Sequence, residues 1–552
     1  MKKLFFLISC VFFVVPAYTQ FQLSHGTDKN EVGKSVRTIP FAEGYIIGGF
    51  TDYKFIAPTD ATLLKTKYNG ALVWAQVYAG KADDVFNSVR PIKPKSDVGY
   101  VCLGTTNSFG YGTNDMLFVR TDPKGNPVSV YTYGGKYGDE GHCIQMIDYG
   151  DSIESDLIMI GESASFSSGT KMFIVKTNLN GSFIDGVIIG NKGNQYGYWI
   201  EPTSDGGFIA VGASDYACGM NIIPSNLDIF VVKLKYNLNV EWARTIGGGP
   251  KLPFKDIAYS VKEIEKGYII TGRTASFGIN NTDDAFLLKL DKSGGFLWLR
   301  NYGYKMPDGG YDVLNEENTS MNHQYVLTGY TNVDSNNYAL LVATDYNGNI
   351  AWTRGYGYYG YQYGYEMDRA LKPGYIFTGL ETSFGAGLRS IYQVVTTDVG
   401  DSYCPECEIE PPIKSEYHDP CINEEVYYKH IETGKENKIE NKYVEYKTFS
   451  CGKKEKSAGD ELSYVETDNA NQSDLLLYPN PAKRSVRVEY PDHFQYGILK
   501  LYNSTGQLMV SKVLLNPGSI EISLDNLTNG MYMVTVTGKD GNSVKSSLLK
   551  AE

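Results

Sequence analysis

The residues able to do chemistry in this chain are few and scattered. It has six histidines, His25, His142, His323, His418, His430 and His493. None stands at the strand or helix spacing from another that would put two metal ligands on one face. Neither a G-x-S-x-G elbow nor an H-E-x-x-H helix occurs, and no nucleotide, flavin or P-loop motif is visible. Carboxylates are plentiful. Asp139, Glu140, Asp256, Asp308, Asp312 and Glu366 fall in connections between repeated units. A hydrolase can draw paired acids from such separate places, and solvated loop carboxylates or strand caps fit the same positions. The densest aromatic run is GYGYYGYQYGYE, with Tyr356, Tyr358, Tyr359, Tyr361, Tyr363 and Tyr365. Aromatic rings offer large rigid contact area to sugars and proteins, so these six are the candidate ligand-binding residues. No catalytic set, metal site or cofactor is expected.

The elements that must position them are strands. GYIITGRTASFGINNTDDAFLLKLDKSGGFLWLRNYG, from Gly267 to Gly303, reads as three short apolar or alternating strands bounded by Gly, Asn, Asp and Ser. Its first line recurs as GYIIGG, GYVCLG, DLIMIG, GFIAVG, GYIITG, QYVLTG and GYIFTG, each closed by a glycine from Gly49 to Gly379. Such a glycine suits a bulge or a close backbone approach. A period of roughly 50–60 residues lies in the range of propeller repeats. The seventh copy stops after its third strand, whereas Phe21–His25 resembles a fourth strand with no first three. Pairing the two closes a ring and removes exposed sheet edges. The expected fold is all-β: a seven-bladed β-propeller over 20–397 closed by an N-terminal strand, then a Cys-containing linker and a small β-sandwich. Five loops carry Phe109, Phe166, Tyr216, Phe277 and Phe384 in comparable places, as wedges between repeats or as part of an aromatic face.

The ends carry separate signals. Lys2 and Lys3, the apolar run Leu4–Val15 and Ala17-Tyr18-Thr19 read as a signal peptide over 1–19. The composition holds 59 Gly and 44 Tyr, which favours turn-rich β structure over a helical enzyme. A formal charge of −12 without basic runs argues against nucleic acid and anionic membranes as partners. No later segment is apolar enough to make an integral membrane protein. Residues 398–473 read as a charged linker. Its Cys404, Cys407, Cys421 and Cys451 suit two disulfides in an exported chain, with the pairing open. A zinc site is the other reading, against which the wide outer spacing counts.

The final module, 474–552, contains Tyr478-Pro479-Asn480-Pro481, a turn at Asn503-Ser504-Thr505-Gly506-Gln507, Leu527 with Gly530-Met531-Tyr532, and Lys550. On these residues it resembles the type A C-terminal sorting domain of the Bacteroidota type IX secretion system. The resemblance implies passage through that machinery, removal of the module by its sortase, and a secreted protein either released or anchored on the outer surface. Separately, DKSGGFLWLRNYG partly resembles the tryptophan docking repeats of quinoprotein propellers. Trp74, Trp242, Trp298 and Trp352 keep the Trp, but no quinone or metal ligands accompany them. The expected function is binding of a glycan or a surface protein. A carbohydrate-active or other hydrolytic enzyme and a scaffold subunit of a surface assembly are the alternatives.

Overall fold

The computed structural model describes residues 20–402, 413–450 and 476–550, apart from 40–42, 53–58, 93–98, 148–154, 191, 217–225, 249–253, 279–280, 318–322, 334, 386, 418–420, 424–426, 432, 438–439, 444–446, 479–482, 490–497, 504–507, 515–518, 526 and 538–542. Residues 1–19, read from the sequence as a signal peptide, Cys404, Cys407, Cys451, the side chain of Cys421, Pro479, Asn480, Pro481 and Gly506 lie outside the described residues. The chain is all-β, with no α-helix among the described residues. It divides into two compact units, Met1–Lys456 and Ser457–Glu552.

Seven antiparallel sheets follow one another in the first unit. Their first strands are Glu31–Ile39, Asp84–Pro91, Asp139–Ile147, Gln195–Pro202, Asp256–Ile264, Gly309–Asn315 and Tyr363–Arg369. Three further strands lie beside each of the first six in chain order. The seventh sheet takes its fourth strand from the start of the chain. Phe21–Gly26 pairs with Ser390–Val395, Phe21 opposite Val395 and His25 opposite Ile391.

The apolar core lies between sheets. Ile46 and Leu63 of the first sheet meet Val89 and Cys102 of the second. Val36, Ile47 and Leu64 of the first meet Ile376, Ile391 and Val395 of the seventh. Each such side chain, fully withdrawn from water, contributes roughly 1.5–3 kcal/mol. First strands touch in succession, and Tyr363–Arg369 touches Glu31–Ile39.

The recurrent tryptophans serve these interfaces. Trp74, Trp242, Trp298 and Trp352 lie against Gly125, Gly294, Gly348 and Gly400, each in a turn of the following sheet. Gly400 has φ +81°, and a Cβ there would come within 2.6 Å of the Trp352 ring. The buried tyrosines Tyr78, Tyr302 and Tyr356 donate to the carbonyls of Gly125, Gly348 and Gly400 at 2.5, 2.8 and 2.5 Å. Tyr133 does the same to Gly181.

Residues 413–450, read from the sequence as part of a charged linker, lie here as six short strands. Ile413–Tyr417, Cys421–Asn423, Tyr427–His430, Lys435–Glu436, Glu440–Tyr443 and Lys447–Ser450 add to the outer edges of the fifth, fourth, third, second, first and seventh sheets, in that order. This belt satisfies backbone groups that an open edge would leave bare.

The second unit has two sheets around one core. Leu476–Tyr478, Ser485–Glu489 and Ser519–Ser523 make one. Leu508–Val513, Ile498–Asn503, Gly530–Thr537 and Ser543–Lys550 make the other. Val486, Val488, Leu499, Leu501, Val534 and Leu548 are fully buried between them.

Candidate functional site: seven bulges around one cleft

Every first strand slips register once against its second strand. The breaks fall between Gly33 and Ser35, Phe86 and Ser88, Gly141 and Cys143, Gly197 and Trp199, Ala258 and Ser260, Gly310 and Asp312, and Gly364 and Glu366. At each break a glycine of the second strand lies against the first. A Cβ on Gly161 would overlap the Glu140 carbonyl oxygen, and the equivalent glycines from Gly49 to Gly379 meet a first-strand carbonyl in the same way. A bulge leaves its extra residue outside the ladder and turns it. Those residues are Lys34, Asn87, His142, Tyr198, Tyr259, Tyr311 and Tyr365, and all seven line one cleft of about 650 Å³.

Neighbours in this set touch. Ring centroids are 5.2 Å apart for His142 and Tyr198, 5.3 Å for Tyr198 and Tyr259, 5.3 Å for Tyr259 and Tyr311, and 5.0 Å for Tyr311 and Tyr365. Lys34 Nζ then sits 4.3 Å from the Tyr365 centroid, and Asn87 Nδ2 donates to the Gly141 carbonyl at 2.8 Å. Burial raises all four phenols above their ordinary value, so they stay protonated donors. Burial also lowers the Lys34 ammonium to about 8. The cleft thus has an aromatic arc facing Lys34, Asn87 and His142.

One and three residues past the bulges lies a charged floor. Lys262 Nζ and Trp199 Nε1 donate to Glu201 Oε2 at 2.9 and 3.0 Å. Gln145 Nε2 donates to the same oxygen at 3.0 Å, and Gln145 Oε1 accepts from Arg90 Nε at 2.9 Å. Arg90 reaches Glu366 at 3.1 Å, and Arg37 pairs with the same carboxylate. Asp312 accepts from Ser260 Oγ at 2.6 Å and from Met367 N–H at 3.1 Å. Burial raises its carboxyl to about 6, against the pull of Lys262 and Arg37. The buried Trp199 ring has Lys262, Arg90 and Arg37 at 4.7, 5.5 and 6.0 Å from its centroid.

Of the six tyrosines expected to bind ligand, Tyr365 alone lines the cleft. Tyr356 is core, committed to Gly400, because it ends an outer strand whose alternation turns it inward. Tyr358, Tyr359 and Tyr361 are exposed, and Tyr363 accepts from Asn337 Nδ2. Among the carboxylates, Glu140 and Glu366 line the cleft. Asp139, Asp256 and Asp308 instead bind loop N–H and hydroxyl groups: Gly135 N–H and Ser165 Oγ, Thr274 Oγ1 and Ser276 N–H, Tyr304 and Asn332 N–H. Phe277 and Phe384 are buried. Lys34, Asn87, His142, Tyr198, Tyr259 and Tyr311 escaped the sequence reading. Their signal was the column K, N, H, Y, Y, Y, Y in first strands otherwise alike, visible only if those strands are aligned.

On one side of the cleft Glu140 stands opposite Glu162 in the strand register. His142 Nε2 lies 3.6 Å from Glu162 Oε2. One ligand atom from each of the three lies within 4.8 Å of the others. The Nε2 atom is buried and makes no hydrogen bond, while Asn114 Nδ2 donates to Glu140 Oε1 at 2.9 Å.

Comparison with known families decides the role of the second unit. Residues 476–550 match the secretion system C-terminal sorting domain. This sorting domain marks the chain for export by type IX secretion and so for the machinery of that system. Its Tyr532 hydroxyl donates to the Thr528 carbonyl at 2.7 Å, and Lys550 Nζ donates to the Leu527 carbonyl. Gly530 opens a strand at φ +151° and Tyr478 closes one. No curated protein matches the chain. Among the described residues no helix is long and apolar enough to cross a membrane.

Proposed function

We propose that the chain is an exported seven-bladed β-propeller that binds a glycan in its aromatic cleft. Seven sheets in cyclic contact, one completed by the chain's first strand, support the propeller. The observation that carries the binding reading is the convergence of seven bulge residues on one opening, four of them tyrosines in contact. Protonated phenols and flat rings suit sugar hydroxyls and C–H faces, and the volume falls within the range of small-ligand sites. After export the sorting domain is removed, and the propeller is released or held at the outer surface. A glycan array probed with the chain, followed by titration of the best binder, tests the reading. Tyr259→Ala and Tyr311→Ala should each weaken binding about tenfold, and Tyr359→Ala should not. Binding indifferent to both cleft tyrosines would refute it.

A second reading has its own observation. Asp312, with its carboxyl raised to about 6, lies beside Glu366 under the same cleft. A carboxyl raised by burial beside a second carboxyl is the kind of pair that glycoside hydrolysis can use. Release of reducing ends from surface polysaccharides, lost in Asp312→Asn, would favour this reading over binding alone.

A further inference from the structure

We propose that Glu140, His142 and Glu162 form a site for a divalent first-row transition metal, with Zn²⁺ as the ion that fits best, on the wall of the cleft. Two glutamates directly opposite on neighbouring strands repel one another. Among the described residues neither has a Lys or Arg ion pair. The bulge inserts His142 beside them and leaves its buried Nε2 without a hydrogen bond. A buried polar nitrogen left without a hydrogen bond is unfavourable. A cation between the three groups would relieve both penalties.

The donor set selects the ion. One imidazole nitrogen with two carboxylate oxygens suits zinc and its first-row neighbours. Calcium prefers six to eight oxygens. Donors bound to tetrahedral Zn²⁺ at about 2.0–2.2 Å lie about 3.3–3.6 Å apart; His142 Nε2 and Glu162 Oε2 already stand at 3.6 Å, and one ligand atom from each of the three groups lies within 4.8 Å of the others. Binding would draw the Glu140 carboxylate in toward the other two. Three protein ligands leave a coordination position free, and Glu140 and His142 face the cleft, so that position is open to whatever enters it.

The test uses the metal alone, on the full exported chain stripped with a chelator and titrated with Zn²⁺ by calorimetry. One equivalent should bind with a Kd of about 1 μM or tighter. His142→Gln and Glu162→Gln should each weaken that binding about tenfold or more, with metal-free melting temperatures unchanged. Should either variant melt early, Glu140→Gln replaces it. Co²⁺ substitution should give weak visible bands of nitrogen and oxygen ligation. No saturable binding, binding that survives in the variants, or an intense thiolate charge-transfer band placing the ion on cysteines would each overturn the proposal.

Discussion

The Tyr356 hydroxyl, in the sixth sheet, donates to the carbonyl of Gly400 at 2.5 Å, in the turn after the third strand of the seventh. The same tie joins Tyr78 to Gly125 and Tyr302 to Gly348. Tyr356→Phe keeps the ring and removes the donor, stranding a buried carbonyl. Stability should fall by about 1–2 kcal/mol in urea unfolding, while occupancy of the cleft stays the same. A variant as stable as the parent would show that water replaces the hydroxyl.

The bulge glycines make a sharper contrast. A Cβ on Gly161 would overlap the Glu140 carbonyl, whereas one on Gly206, at φ +82°, meets nothing within 4 Å. Gly206→Ala should therefore destabilise by about 1 kcal/mol, the left-handed conformation alone. Gly161→Ala must move a strand and should destabilise by about 3 kcal/mol. Paired denaturant midpoints test the order, which a reversal would contradict.

Buried carboxyls set the pH response. Burial holds Asp84, Asp308 and Asp312 each at about 6, against an ordinary 3.8. Glu31, Asp115, Asp139, Asp256 and Glu381 are raised for the same reason. Between about pH 4 and 6 the folded chain keeps protons that the unfolded chain has released. The stability these groups contribute is complete below about pH 4 and is lost as pH rises through 6. His25 and His323 oppose them. Burial lowers both imidazoles, His25 to about 4, so their contribution is lost as pH falls from 6.5. The carboxyls outnumber them, and melting temperature should decline from pH 4 to pH 6. Asp312→Asn should flatten that slope whatever its absolute stability, and an unchanged slope would remove Asp312 from the set.

Much of the fold was legible because strands advertise themselves. The run at Gly267–Gly303 supplied the unit, and the lone fourth strand at Phe21–His25 pointed to its partner. The belt was not legible. Lys435–Glu436 and Cys421–Asn423 are too short for an alternating pattern, and their pairing rests on backbone groups that every sequence has. The cleft was half legible. The glycines announced bulges, but the residue each bulge presents varies freely, since nothing in the ladder constrains it. Density of tyrosine does not by itself mark the cleft for that reason: Tyr365 occupies a bulge, and Tyr356, nine positions earlier, occupies a core.

Removing the belt should expose six sheet edges at once. A chain ended after Ser402 keeps all seven four-stranded sheets but leaves the outer strands, Phe296–Gly303 among them, unpaired. Open edges of this kind template association. The truncated chain should appear as soluble oligomers or aggregate in size-exclusion chromatography, where the full chain does not. A monodisperse truncated monomer would show that side chains alone protect the edges.

The belt also says when this molecule can finish. Phe21–Gly26 lies between Ser390–Val395 on one side and Lys447–Ser450 on the other. The first strand to be synthesised therefore waits for neighbours made hundreds of residues later, and its outer neighbour comes last of the six. The seventh sheet cannot be completed before residue 450 has been made, whatever folds earlier. The seventh sheet is therefore the last of the seven that can be completed, and its assembly brings together strands from the beginning and the end of the first unit.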